Sequence, residues 1–547
     1  MPDDRERVDN DAHLGQILAD IETRLSRIEQ ELSLEPISTK PTPQFIRESE
    51  AVEESKDNLE LRIGLYWFAK VGIVTLMIGV VFLLLQPYRS LNPAFASGLG
   101  YILAGGVILV SRFLRKSSPF LAGYLLGGGL VLFFFATLRL HYFSPTPVLS
   151  GRFGEAVFLL MIVAVSTLVS IRQRSVYLVS VSVAMGLATG LMSDQVYSFF
   201  GITLIMAALT AYLSVKYRWH NLLIYGTGIT YLTQLIWFLN NPLVGNTLEF
   251  RSAPYATVVF VLFWAVLFAS GSFFRAREDK ESVTTILGSL LNASLGFGLF
   301  SLMTVSKFQG SLAVSQLAAS VVFLIIAVAF WSKEQSRFQT FFYAMTGYAA
   351  LSAAIVADFR TPDFFILLCW QSLLVVSTAV WFRSKFIVVA NFVIYTIIFI
   401  AYLALAGTVS ITGLSFGVVA LLSARVLSWQ RSRLELKTDK MRTAYLIAAF
   451  VIFPYALYHT VPTDYVSLSW LAVAVVYYVI SLILRNMKYR WMALMTFLLT
   501  AFYLIIIGII KLEPVLRIVS FLVLGVVLLA ISFVYARSKM KSGSKDK

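Results

Sequence analysis

From Ile63 onward the chain runs through apolar stretches of some twenty residues, and the short loops that join them alternate between rich and poor in Lys and Arg. A hydrocarbon layer about 30 Å thick is crossed by about 20 apolar residues in a helix. Backbone polar groups inside that layer must be paired within the chain, which a helix does segment by segment. The pattern therefore predicts an all-α fold: a polytopic transmembrane helical bundle of about 18 spans between residues 63 and 538. Only 14% of residues are charged and 58% are hydrophobic, against about a quarter charged in soluble proteins. A water-soluble globule is excluded.

The loops orient the spans. Arg112, Arg115 and Lys116 follow the second span, Arg172 and Arg174 the fourth, and Lys216 and Arg218 the sixth. The series continues through Arg275, Lys333, Arg383, the cluster from Arg431 to Arg442, and Arg485, to a basic tail over 539–547. These loops and the tail hold 27 Lys and Arg, whereas the opposite loops hold 8. The positive-inside rule places the rich side in the cytoplasm, with both termini there. The chain as a whole carries +15, a sign that often points to nucleic acid. Here loop topology accounts for it, so no nucleic-acid partner is expected.

Residues 1–62 differ in character, with 8 Lys and Arg against 16 Asp and Glu. Leu14, Leu18, Ile21, Leu25, Ile28 and Leu32 alternate in steps of four and three, a heptad seam that predicts a short cytoplasmic coiled coil within residues 1–35. A homo-oligomer or a partner protein would join through residues 14–32; an amphipathic helix lying on the protein's own cytoplasmic face is the alternative. Pro36, Pro41 and Pro43 open an acidic linker over 36–62. No signal peptide opens the chain, so the first apolar span is expected to serve as the targeting signal.

Chemistry must then be sought among polar residues of the spans and their ends. All 14 Asp and Glu beyond residue 62 fall in loops or at span ends. A proton-coupled carrier normally relays through an intramembrane carboxylate or His, so that mechanism loses ground. Lys70 and Arg425 lie near the cytoplasmic edge and reach it by snorkelling. The intramembrane polar candidates are Gln234, Asn292, Gln316, Gln371 and Asn391, residue types that most often join helices by hydrogen bonds. Gly123 with Gly127, and Gly186 with Gly190, are spaced for close helix contact. Cys369 is the single cysteine, which leaves no disulfide within one chain. No phosphate-loop, kinase, zinc or nucleophile-elbow motif is present, so no cofactor or metal is expected.

Ionisable residues of both signs gather on the outward side. Arg139, His141, Arg152 and Glu155 flank the third and fourth spans; Asp358, Arg360 and Asp363 follow the eleventh; His459, Asp464 and Arg517 lie nearer the end. Converging, they would bind an anionic headgroup or act as acid and base on a lipid-linked substrate. Scattered interfacial charges are the default for any polytopic protein.

Three segments resemble a known family. ELRIGLYWFAKVGIVTLMIGVVFLLL, FLAGYLLGGGLVLFFFATLRLHYF and VLRIVSFLVLGVVLLAISFVYAR, at the first, third and last spans, are similar to domain-of-unknown-function family 2339. Arg517, Ser520, Phe521, Gly525 and Tyr535 fall where that family's pattern expects them, whereas Tyr503 and Gly508 stand where many members carry Lys and Asp. The resemblance implies a multi-pass protein of the bacterial inner membrane with an amino-terminal coiled coil, and brings no activity. Three functions follow as expectations: a transporter or lipid-handling protein of the cell envelope, a non-transporting scaffold acting through its coiled coil, and a membrane-embedded transferase on lipid-linked substrates.

Overall fold

A computed structural model of the protein describes residues 93–140, 152–193, 195–242, 245–274, 282–334, 336–406, 412–429, 439–508 and 518–526, with single positions at 71, 75, 79 and 515. The heptad seam over 14–32, the linker over 36–62, Lys70, His141, Arg517 and the tail over 539–547 lie outside them.

Sixteen α-helices follow one another among the described residues. They are α1 (Pro93–Leu114), α2 (Pro119–Leu138), α3 (Arg152–Arg172), α4 (Val176–Met192), α5 (Val196–Tyr217), α6 (His220–Phe238), α7 (Ala256–Phe273) and α8 (Val283–Lys307). The series continues with α9 (Leu312–Ala329), α10 (Arg337–Asp358), α11 (Asp363–Trp381), α12 (Lys385–Leu405), α13 (Thr412–Trp429), α14 (Asp439–Thr460), α15 (Val466–Leu484) and α16 (Met487–Tyr503). A further helical stretch covers 518–526, and no strand occurs among the described residues. The chain is thus an all-helical, multi-pass membrane protein: among the described residues twelve helices are long and apolar enough to cross a bilayer, while α3, α4 and α13 are apolar but shorter.

Each basic loop joins an odd-numbered helix to the even-numbered one that follows it. Several of these turns are tight. Arg174, Arg218, Arg383 and Arg485 stand at φ of 50°, 57°, 50° and 49°, in the left-handed region that glycine adopts more easily. Arg218 and Arg485 return their backbone N–H to Ser214 O and Ser481 O, which closes the preceding helix. Arginine keeps there a positive charge that suits a helix C-terminus. The next residue often restarts the chain: Ser175, Ser384 and Asn486 accept from Leu178 N, Ile387 N and Lys488 N and so cap α4, α12 and α16.

The even-numbered helices form a continuous row, because α2 packs on α4, α4 on α6, α6 on α8, α8 on α10, α10 on α12 and α12 on α14. Odd-numbered helices lie against them as the partners of antiparallel hairpins. One large apolar core runs from Leu191 to Leu524, and a second holds α2 to α6 together. Small residues permit the approach. A Cβ on Gly127 would stand 2.7 Å from Cε1 of Tyr177 on α4. Gly123, expected in the same contact, has no atom within 4 Å of its Cβ position; one helical turn carries it away from the crossing point.

Candidate functional site

A polar side chain within an apolar bundle is costly until it is paired, so its partners decide what it can still do. Asn292 of α8 is buried at 1% exposure. Its Nδ2 donates to Ala265 O of α7 at 2.8 Å and to the Tyr343 hydroxyl of α10 at 2.9 Å. Its Oδ1 accepts from the Tyr231 hydroxyl of α6 at 2.8 Å. One amide therefore joins four helices. The sequon formed by Asn292, Ala293 and Ser294 has its asparagine inside this packing.

Asn391 of α12 repeats the arrangement four helices along. Its Nδ2 donates to Ser372 Oγ of α11 at 2.8 Å and to the Tyr445 hydroxyl of α14 at 3.0 Å. Beside it, Gln371 of α11 donates to Tyr348 O at 2.8 Å and accepts from Ser352 Oγ at 3.1 Å, both on α10. Tyr348, Ser352, Gln371, Ser372 and Asn391 line a cavity of about 80 Å³ between α10, α11 and α12. It has room for water but not for a large solute. Gln316 of α9 donates to Ser301 Oγ and Thr304 Oγ1 of α8 at 3.2 and 3.1 Å. Gln234 of α6 donates to Met303 Sδ of α8 at 3.6 Å. The carbonyl oxygens of Gln234, Gln316 and Gln339 are buried without a hydrogen-bond partner. All five intramembrane candidates thus act across helix contacts, and two of them also face the small cavity.

Larger spaces lie elsewhere, and they are apolar. A cleft of about 390 Å³ between α6 and α8 is walled by Leu232, Leu235, Leu295 and Leu302. Another, of about 320 Å³, lies between α13 and α15, walled by Leu421, Leu422, Ile480 and Ile483, with Arg425 and Tyr489 of α16 at its border. A third, of about 270 Å³ between α14 and α16, holds Ile447, Phe450 and Met495 beside Lys488 and Trp491. Leu232, Ile483 and Ile447, one from each, are all more than half exposed. The clefts therefore open sideways, toward the surroundings of the bundle.

The outward residues are dispersed. Arg139 is buried at the C-terminal end of α2, and Arg152 and Glu155 fall in the first turn of α3. Asp358, Arg360 and Asp363 are exposed around the turn from α10 to α11. His459 is exposed on α14, its Nδ1 3.0 Å from Tyr455 O, and Asp464 is half-buried before α15. The three groups of helices that carry them are not packed on one another: α2 packs on α1, α3 and α4, α10 on α8, α9, α11 and α12, and α14 on α12, α13 and α15, so that α10 and α14 share only α12. Among the described residues, no three His, Cys, Asp or Glu side chains gather as a metal-binding group.

Tyr231, Tyr343 and Tyr445, which complete the asparagine contacts, pass in a sequence reading for ordinary apolar bulk. A signal exists for Tyr343 and Tyr445. The seventh residue of α4, α8, α10, α12 and α14 is Ser182, Ser289, Tyr343, Asn391 and Tyr445, in each case polar and at one depth from the basic turn. Comparison with protein-family models, with curated proteins and with solved structures gives no match to this chain.

Proposed function

We propose that this chain is a lipid-handling protein of the bacterial inner membrane, with about 18 crossings and both termini in the cytoplasm. The observation that carries the reading is where space lies in the bundle. Three apolar clefts of about 270 to 390 Å³ open sideways, whereas the cavity lined by Gln371 and Asn391 measures about 80 Å³. Apolar walls with a few polar groups at the border suit acyl chains better than a hydrated solute. The amides that a polar pathway would need instead serve contacts between helices. The bacterial inner-membrane part of the reading rests on the resemblance of the first, third and last spans to domain-of-unknown-function family 2339, and the orientation rests on the basic loops.

Quantifying phospholipid that stays with the full chain through detergent purification tests this. Retained lipid that protects the protein against thermal unfolding is the expected result. A chain that delipidates fully, and whose melting temperature does not respond when lipid is returned, would sink the reading. A scaffold acting through residues 14–32 is the second reading, favoured by the four-helix lock at Asn292, which suits a bundle that does not rearrange. Deleting residues 1–62 separates the two: a scaffold loses its cellular role with lipid retention intact. Dispersal of the outward charges over three groups of helices counts against the transferase.

A further inference from the structure

The geometry points to a binding site for one anionic phospholipid of the cytoplasmic leaflet in the cleft between α13 and α15, with the lipid phosphate on Arg425 and an acyl chain along Leu421, Leu422, Ile480 and Ile483. It rests on the lipid-handling reading and names the lipid class and the place.

Three observations meet there. First, Arg425 stands one turn before Trp429 on α13, exposed, with apolar residues on every side of the cleft it borders. Among the described residues its guanidinium has neither a hydrogen bond nor an ion pair. A cation held at that depth favours an anion within reach, and the planar guanidinium matches a phosphate by two parallel hydrogen bonds. Second, among the described residues the charge near it is mainly positive. Tyr489, at the border of the cleft, is within electrostatic reach of both Arg425 and Arg442. Arg442 is 8% exposed and its Nε is buried without a partner, while its pairing with Asp439 is loose at 3.6 Å. Third, the basic side is the cytoplasmic side, where anionic lipids concentrate and where basic pockets between transmembrane helices take up their headgroups.

The other two clefts are less suited. Lys488, in the cleft between α14 and α16, already donates to Thr443 Oγ1 at 2.6 Å. The cleft between α6 and α8 has no charged side chain in its lining.

The test uses the full chain in phosphatidylcholine vesicles with a trace of either phosphatidylglycerol or phosphatidylcholine, each carrying a photoactivatable group on one acyl chain. After irradiation and digestion, the phosphatidylglycerol probe is expected to label peptides containing Leu421, Leu422, Ile480 and Ile483 about fivefold more than the phosphatidylcholine probe, the effect of one cation at the headgroup. Arg425→Gln should bring the two probes level, Arg425→Lys should keep part of the preference, and Arg115→Gln, at the basic end of α1, should leave it unchanged. Equal labelling by both probes in the wild-type chain, or a preference that survives Arg425→Gln, would overturn the proposal. Should Arg425→Gln fail to fold, the wild-type preference decides: it must shrink on raising salt to about 1 M, where charges are screened beyond about 3 Å, and a salt-independent preference overturns the site. Labelling of the cleft between α6 and α8 with none between α13 and α15 refutes this site alone. No labelling above bulk lipid at any of the three clefts refutes the lipid-handling reading as well.

Discussion

Replacing Asn292 by Leu removes an amide that holds α6, α7, α8 and α10 at one point. Leucine keeps the same branched arrangement of heavy atoms, so the change removes polarity without opening a cavity, while its bulkier methyl groups add some overpacking to the cost. Interhelical hydrogen bonds in membrane proteins average about 0.6 kcal/mol each, with about 1.7 kcal/mol as the upper end. Three such bonds give an expected loss of about 2 kcal/mol and a ceiling near 5 kcal/mol. The Tyr231 hydroxyl then stays buried without its acceptor, which holds the value in the upper part of that range. Reversible unfolding of the full chain in mixed micelles, titrated with a denaturing detergent, measures it. A double-mutant cycle with Tyr343→Phe isolates the bond at 2.9 Å, and a coupling of about 0.6 kcal/mol is expected. Asn292→Leu costing less than about 0.5 kcal/mol, below even one average bond, would refute the claim that this residue locks the helices; strict additivity in the cycle would refute the Tyr343 contact.

Three further outcomes follow from the same packing. A Cβ on Gly296 would stand 2.8 Å from the Tyr231 hydroxyl; Gly296→Ala should therefore destabilise by about 1 kcal/mol, overpacking of about 1 to 3 kcal/mol being offset by about 1 kcal/mol of helix propensity, and Tyr231→Phe should relieve part of it. Cys369 is fully buried, so a membrane-permeant maleimide should modify it only after denaturation, and modification of the folded chain would contradict the packing of α11. Nine helices separate Lys116 from Arg360, so reporter fusions at the two sites should report opposite sides of the membrane, Lys116 facing the cytoplasm; the same side for both would break the topology.

The helical class was legible because it depends on composition over windows of a span, which tolerates ignorance of every contact. The turns were legible too, since Arg383 and Arg485 mark by charge the same points at which the backbone reverses. Contacts were not. Asn292 and Asn391 look alike in sequence, each an amide in an apolar run, yet Asn391 borders a cavity and Asn292 lies wholly within packing. Gly123 and Gly127 share one spacing pattern, and only Gly127 meets a neighbouring ring. Arg425 reads as one more snorkelling cation until Ile480, Ile483 and Tyr489 from two other helices are placed beside it.

By itself the sequence determined that the chain is helical and apolar enough to cross a membrane repeatedly, and which ends of its helices carry positive charge. These properties belong to single segments, each of which must satisfy its own backbone in a medium without water. Only the tertiary structure decided which helices touch, which buried amides are satisfied and by whom, and where space remains. Those depend on the rotation and crossing of each helix against partners far along the chain, and a partial rotation about the helix axis exchanges a residue in a contact for one outside it.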